Sequence, residues 1–407
     1  MRPLTEIVRF DPAPGDPWHP TSTPIHQTAT FAQESATEFG RYDYSRSGNP
    51  TRSVLEAQLA RLEHAERALA YSSGMAALTA LVRLVPAGGH IVAGDDLYGG
   101  TYRLLERVAP RAGVRTSYVD ATDVAAVERA IASDTRWVLV ETPTNPLQKI
   151  ADVRALSKVA HDRGARLAVD NSLLSPYLQN PLDLGADAVV HSATKHLCGH
   201  GDVTAGAIAV RDAQLADELA FLQNAEGTAL APFDCWLLLR GMKTLGVRVE
   251  QAQANALVIA RHLSRHRRVE RVHYAGLDDH PGRALHQRQA RGAGSVVSFE
   301  TGDAELSRQV VESLELFTIS VSFGNVTSLA SLPACMSHKS IPAHVRAEHA
   351  LPDDLVRLSI GIEDARDLAF DLDRALGLPI AAREPRPAVF PVKDERSVGR
   401  IAHEIRD

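Results

Sequence analysis

Arg166-Leu167-Ala168-Val169-Asp170 and Asp187-Ala188-Val189-Val190-His191-Ser192-Ala193-Thr194-Lys195 are the two stretches whose reading decides the fold. Each holds a short, unbroken apolar run of strand length, too continuous to leave one face in water. Strands of that kind belong in a parallel sheet covered on both faces. Working outward, residues 68–71, 90–93, 137–141 and 205–210 read the same way, and the lengths between them fit helices. One such helix, 153–163, should stop at Gly164, which takes the left-handed conformation of a helix terminator without steric penalty. The alternation predicts an α/β chain with a largely parallel sheet.

The flanks have a different texture. Residues 1–45 are rich in Pro, Thr and Gln without a sustained period, which predicts an extended arm. After Asn49-Pro50-Thr51, the apolar positions Leu55, Leu59 and Leu62 recur at helical spacing, with Thr51 or Ser53 as candidate N-cap. Beyond about residue 245 we expect a second domain: a long helix at 248–264, a strand at 295–300, and helices at 307–314 and 364–376. The reading is therefore an arm (1–45), a large domain (46–245), a smaller C-terminal domain (246–380) and a proline-rich tail (381–407), with a short helix at 397–405.

Composition narrows the function. The chain has 407 residues, 44% of them apolar, enough for more than one core. A formal charge of −6, with no like-charged block longer than the surroundings of Arg267-Arg268, gives nucleic acid no footprint. No run of eighteen apolar residues predicts a membrane span, and Met1-Arg2-Pro3-Leu4-Thr5-Glu6 lacks the apolar core of a secretory signal. Three scattered cysteines, Cys198, Cys235 and Cys335, do not make a disulfide framework. The expectation is a cytoplasmic protein acting on small molecules.

In a parallel α/β sheet, ligands bind beyond the carboxyl ends of the strands, so the residues following each strand carry the chemistry. After 68–71 comes Ser72-Ser73-Gly74-Met75, a small-residue turn opening a helix, whose N–H groups suit an anion. Tyr98 follows 90–93 in a glycine-containing loop and offers a flat surface. Asn145 follows 137–141 in the turn Thr142-Pro143-Thr144-Asn145-Pro146. Asp170 and Lys195 supply an acid and an amine at the ends of the two deciding strands. Singly each is weak, since an Asp at a strand end is more often an N-cap and most lysines are solvated. Together they suit pyridoxal 5'-phosphate (PLP), which needs a Schiff-base lysine, an acid at its ring nitrogen and an anchored phosphate.

The stretches Tyr42-Asp43-Tyr44-Ser45-Arg46-Ser47-Gly48-Asn49-Pro50-Thr51-Arg52, Val169-Asp170-Asn171-Ser172 and His191-Ser192-Ala193-Thr194-Lys195 resemble the signatures of the cystathionine synthase and lyase family. The likeness covers roughly residues 20–378. Within the family, Phe221-Leu222-Gln223-Asn224-Ala225-Glu226-Gly227, Ala231-Pro232-Phe233-Asp234-Cys235-Trp236 and Ser337-His338-Lys339-Ser340-Ile341-Pro342 resemble the plant-type cystathionine β-lyase branch. The resemblance implies the aspartate aminotransferase-like fold (fold type I), with a large, mostly parallel seven-stranded sheet domain and a smaller C-terminal α/β domain. It implies that Lys195 forms the Schiff base and moves the Cα proton, with a neighbouring cation and desolvation lowering its pKa. Asp170 would pair with the pyridinium nitrogen, and Tyr98 would stack on the ring and take a proton from the incoming amine. Ser73, Gly74, Met75, Ser192 and Thr194 would hold the phosphate. Tyr44 and Arg46 would complete that site from an adjacent subunit of a homotetramer built as a dimer of dimers. Arg357 would grip the substrate α-carboxylate, Asn145 would contact the cofactor and, with Ser322, help orient the substrate, and Arg103 would meet a distal carboxylate.

The same resemblance bears on reaction type. Family members that act at the γ-carbon commonly carry Glu before the serine matching Ser322; here the residue is Val321. That implies β-elimination from a sulfur-containing amino acid, with γ-synthase, γ-lyase and cysteine-conjugate or cystine lyase as the alternatives. Two other readings are weaker. His191, His196, Cys198 and His200 crowd together, but their spacing fits no common zinc pattern, and no metal is expected. A non-enzymatic binding protein on the same fold should have lost one of Lys195, Asp170, Tyr98 or Arg357, and all four are present.

Overall fold

The computed structural model describes residues 1–337, 339 and 351–377. The expected tail with its helix at 397–405, His338 and most of the Ser337-to-Pro342 motif lie outside the described residues. Seven strands form the larger sheet: β1 (Arg67–Tyr71), β2 (His90–Gly94), β3 (Arg115–Val119), β4 (Thr135–Glu141), β5 (Arg166–Asp170), β6 (Ala188–His191) and β7 (Gly206–Val210). Their order is β1-β7-β6-β5-β4-β2-β3. The pairs from β6 to β3 are parallel, whereas β7 runs antiparallel to both neighbours. Because β7 is reversed, β1 points the same way as β6, and the carboxyl ends of β1, β2, β4, β5 and β6 share one edge.

Burial explains why the strands read as continuous apolar runs. Along β4 and β5, Val138, Val140, Leu167 and Val169 enter one core, while Trp137, Leu139 and Ala168 enter the other. Helices Pro50–Leu62, Val153–Asp162 and Pro232–Met242 cover the first face; Gly74–Arg83 and Ala213–Glu226 cover the second. Gly164 does take a positive φ of 75° just past its helix. The strand β3 escaped the sequence reading because Arg115-Thr116-Ser117-Tyr118-Val119 is an edge strand without a fully buried residue.

A five-stranded sheet follows, in the order β10-β11-β12-β9-β8, from β8 (Arg271–His273), β9 (Val296–Glu300), β10 (Thr318–Ile319), β11 (Leu329–Ser331) and β12 (Val356–Ser359). It has its own core, into which Leu245–Leu263 sends Ile259 and Leu263, and Ala365–Ala375 sends Leu368 and Leu372. Two expectations are corrected. The arm is not wholly extended: Pro3–Val8 is a short helix with Ile7 buried against the first core. The N-cap of Pro50–Leu62 is Asn49, whose side chain accepts from the N–H of Thr51 and Arg52. Thr51 Oγ1 is spent elsewhere, donating to the Pro24 carbonyl at 2.7 Å.

Candidate active site

At the shared strand edge, facing the second sheet, lies a cavity of about 360 Å³, within the range of small-molecule sites. Ser73, Gly74, Met75, Tyr98, Arg103, Asn145, Asp170, Ser192, Thr194, Lys195, Ser322 and Arg357 all line it. Tyr44 and Arg46 do not. They sit on the surface, with Tyr44 43% exposed, the Arg46 guanidinium 5.5 Å from its ring centre, and Arg46 Nη1 donating to the Asn224 carbonyl at 2.9 Å.

One end of the cavity is built for an anion. Ser73 caps helix Gly74–Arg83 through Oγ, which accepts from Ala76 N at 3.0 Å, and the N–H groups of Gly74 and Met75 have no intrahelical acceptor. Gly74 must be glycine: a Cβ there would come within 2.9 Å of Ser192 Cβ, so the turn after β1 packs directly on the loop after β6. Ser192 N is held by Ser172 Oγ at 2.6 Å, and Thr194 Oγ1 is tied to both backbone groups of Ala205.

The titrating groups stand beyond. Burial pushes the Asp170 carboxyl above its usual range, opposed by hydrogen bonds from Ser172 and by the charges of His191 and Lys195. Burial, and then the charge of Arg357, pull Lys195 down to about 8, with Asp170 opposing. The Lys195 amine donates to Ser322 Oγ at 2.6 Å and lies 5.2 Å from the Phe323 ring centre. Ser322 sits at φ 84°, a strained conformation for a non-glycine residue. That backbone turns its hydroxyl to Lys195 and its carbonyl to Arg357 Nη2, at 2.8 Å.

Arg357 is 2% exposed, which excludes a solvated surface role. Its Nη1 donates to Asn145 Oδ1 at 3.0 Å, Nε is buried without a partner, and among the described residues no carboxylate lies within 4.0 Å. Burial pulls it down to about 10, partly offset by the charge of Glu141. A buried guanidinium with a spare donor is suited to receive a carboxylate. Asn145, expected to help orient the substrate, also braces this guanidinium. The crowded His191, His196, Cys198 and His200 diverge: His191 bonds Glu63, Cys198 bonds Asp202, and His200 bonds the Cys198 carbonyl. Sequence reasoning missed Glu141, Ser172, Thr204, Phe323 and Met336, which also line the cavity.

Residues 5–377 match the Cys/Met metabolism PLP-dependent enzyme family. The chain belongs to that family. A chloroplastic cystathionine beta-lyase of Arabidopsis thaliana is 56% identical over 360 residues, covering 88% of this chain and 78% of that protein. A cystathionine beta-lyase of Neurospora crassa is 51% identical over 374 residues, covering 91% and 81%. Among solved structures, a cystathionine gamma-lyase from Lactobacillus plantarum complexed with L-serine superposes with a TM-score of 0.90 at 40% identity, covering 92% of this chain and 98% of that one. The cavity fits the cofactor of the family: a glycine cradle and helix N-terminus for a phosphate, a half-buried amine, and at Asp170 a half-buried acid to which, among the described residues, no cation is bonded, free to meet a protonated ring nitrogen.

Proposed function

We propose that this family member catalyses the β-elimination of L-cystathionine to homocysteine, pyruvate and ammonia. The observation that supports it most directly is the Lys195 amine, held 2.6 Å from Ser322 Oγ in the cavity that also contains Asp170 and Arg357. Bound PLP supplies an electron sink for the charge left on the substrate α-carbon. The chain supplies the rest. Arg357, braced by Asn145, binds the α-carboxylate through its spare donor and so fixes which bond faces the cofactor. Lys195, biased towards the free amine, removes the α-proton, and Ser322 Oγ holds the amine in place. Asp170 would hold the proton on the cofactor's ring nitrogen, and Tyr98, on the loop after β2, would offer its ring as a stacking surface. After the α-proton leaves, the bond from the β-carbon to sulfur breaks with no second proton abstraction. Val321, 53% exposed at the cavity wall, presents no acid or base for chemistry further along the side chain.

The proposal includes a homotetramer, a dimer of dimers, in which Tyr44 and Arg46 complete the phosphate site of a neighbour; their exposure outside their own cavity supports this. It also includes a cytoplasmic setting, supported by three unpaired thiols. The test is a product assay on the purified, yellow holoenzyme. With L-cystathionine, pyruvate plus homocysteine is expected; 2-oxobutyrate plus cysteine, or cystathionine synthesis from an acylated homoserine and cysteine, would refute the β-elimination. A higher kcat/KM on cystine or a cysteine conjugate would keep the chemistry and replace the substrate.

A further inference from the structure

Glu141 has no part in the chemistry above, yet it stands in the middle of the site. It is the last residue of β4 and the register partner of Asp170 on β5. Partners in a parallel pair project to the same face of the sheet, so two carboxyl groups lie side by side under the cavity. Glu141 is 7% exposed, lines the cavity wall, and among the described residues has no cation within 4.0 Å. An ion pair therefore does not account for it. Its two oxygens are used on backbone: Oε1 accepts from Asn145 N at 2.9 Å, and Oε2 accepts from Tyr98 N at 3.3 Å.

Those two N–H groups belong to loops from different strands. Tyr98 ends the loop after β2; Asn145 sits in the turn after β4, and its side chain in turn braces Arg357 at 3.0 Å. The geometry points to Glu141 as a positioning residue that ties the Tyr98 loop to the Asn145 turn, fixing the stacking ring relative to the carboxylate-binding Arg357. The inference rests on the reading that the cavity holds PLP. Burial, with Asp170 and Asp96 alongside, pushes the Glu141 carboxyl well above its usual range. In either protonation state both oxygens keep lone pairs for the two backbone donors. Glutamine, although isosteric, keeps one acceptor and turns its NH2 against the other N–H. The shorter bond to Asn145 should survive, and the longer one to Tyr98 should be lost.

The experiment compares wild type, Glu141→Gln and Glu141→Asp as holoenzymes, by thermal midpoint, visible absorbance, induced circular dichroism of the cofactor band and steady-state kinetics. We expect Glu141→Gln to fold and stay yellow, to change its induced dichroism, and to lose about 10²-fold in kcat/KM, more through kcat than KM. Glu141→Asp, with both oxygens one methylene short, should be intermediate in dichroism and rate. Wild-type dichroism and wild-type kcat/KM in Glu141→Gln would overturn the inference, as would an activity loss that only follows the unfolded fraction. Should Glu141→Gln fail to fold, Glu141→Asp decides on the same two readouts, wild-type values again counting against. A colourless wild type incubated with PLP would instead sink the cofactor reading and this inference with it.

Discussion

Apoenzyme mixed with pyridoxal phosphate should capture it with a pH profile set by Lys195, because only the neutral amine is a nucleophile. Lys195 is drawn from an ordinary 10.5 to about 8. At about pH 7.5 that leaves roughly a quarter of the amine free, against roughly one part in a thousand for an ordinary lysine, a gain of about 200-fold. Burial is the largest cause and Arg357 the second, so Arg357→Gln should raise the midpoint by less than the whole shift, while Asp170→Asn, which removes the opposing charge, should lower it. The assay is stopped-flow growth of the yellow band between about pH 6 and pH 10.5, with a plateau expected above about pH 8 to 9. A rate still climbing tenfold per unit through about pH 9.5 would refute the reasoning. Stability gives the same answer by another route. The unfolded chain binds the Lys195 proton more tightly than the fold does, so the buried lysine costs stability below pH 8, and the cost fades as pH rises to 10.5. Apoprotein stability of wild type relative to Lys195→Met should thus improve by up to about 3 kcal/mol across that window.

Other outcomes follow from the same geometry. Arg357→Lys should raise KM for cystathionine at least about 10-fold with kcat little changed, since a single ammonium cannot serve Asn145, the Ser322 carbonyl and a substrate carboxylate together; steady-state kinetics checks this. Asp170→Asn should keep the cofactor yet lose about 10²- to 10³-fold in kcat/KM, because the charge opposite the ring nitrogen is gone; an unchanged rate would remove Asp170 from the mechanism. Lys195→Ala and Arg46→Ala, each inactive alone, should regain about a quarter of wild-type activity when unfolded and refolded together, because each mixed dimer contains one intact shared site. Mixtures that stay dead would confine the site to one chain.

What the sequence revealed and what it hid divide along physical lines. Asp170 and Lys195 were legible because each follows a short apolar run, and the strand ends of a parallel sheet converge. The turn at Ser73 and Gly74 was legible for the same reason. Resemblance supplied Arg357 and Ser322, which no local pattern marks. Glu141 was hidden in plain view: it closes the run of β4, and only the register against β5 reveals that its side chain faces the cavity. The 84° φ of Ser322 has no signature in Ser320-Val321-Ser322-Phe323-Gly324. Asn49 was passed over as N-cap because Thr51 and Ser53 are equally good caps in isolation, and only the Pro24 carbonyl decides between them. The arm helix is too short to show a period, and depends on burying Ile7.

The reversed strand β7 has a consequence for how the reactive amine moves. A chain leaving β6 for a parallel neighbour would travel to the far side of the sheet; here it returns at once, and the segment carrying Lys195 begins and ends at the same rim. Thr194 and Ala205 stitch its two ends with three hydrogen bonds, and Gly206, where any Cβ would fall 2.1 Å from the Ser73 carbonyl oxygen, wedges the stitch against the anion-binding turn. The main chain under the lysine is thus anchored like the base of a crane. Any movement of the amine is left to four methylenes, whose swing costs no refolding of the loop.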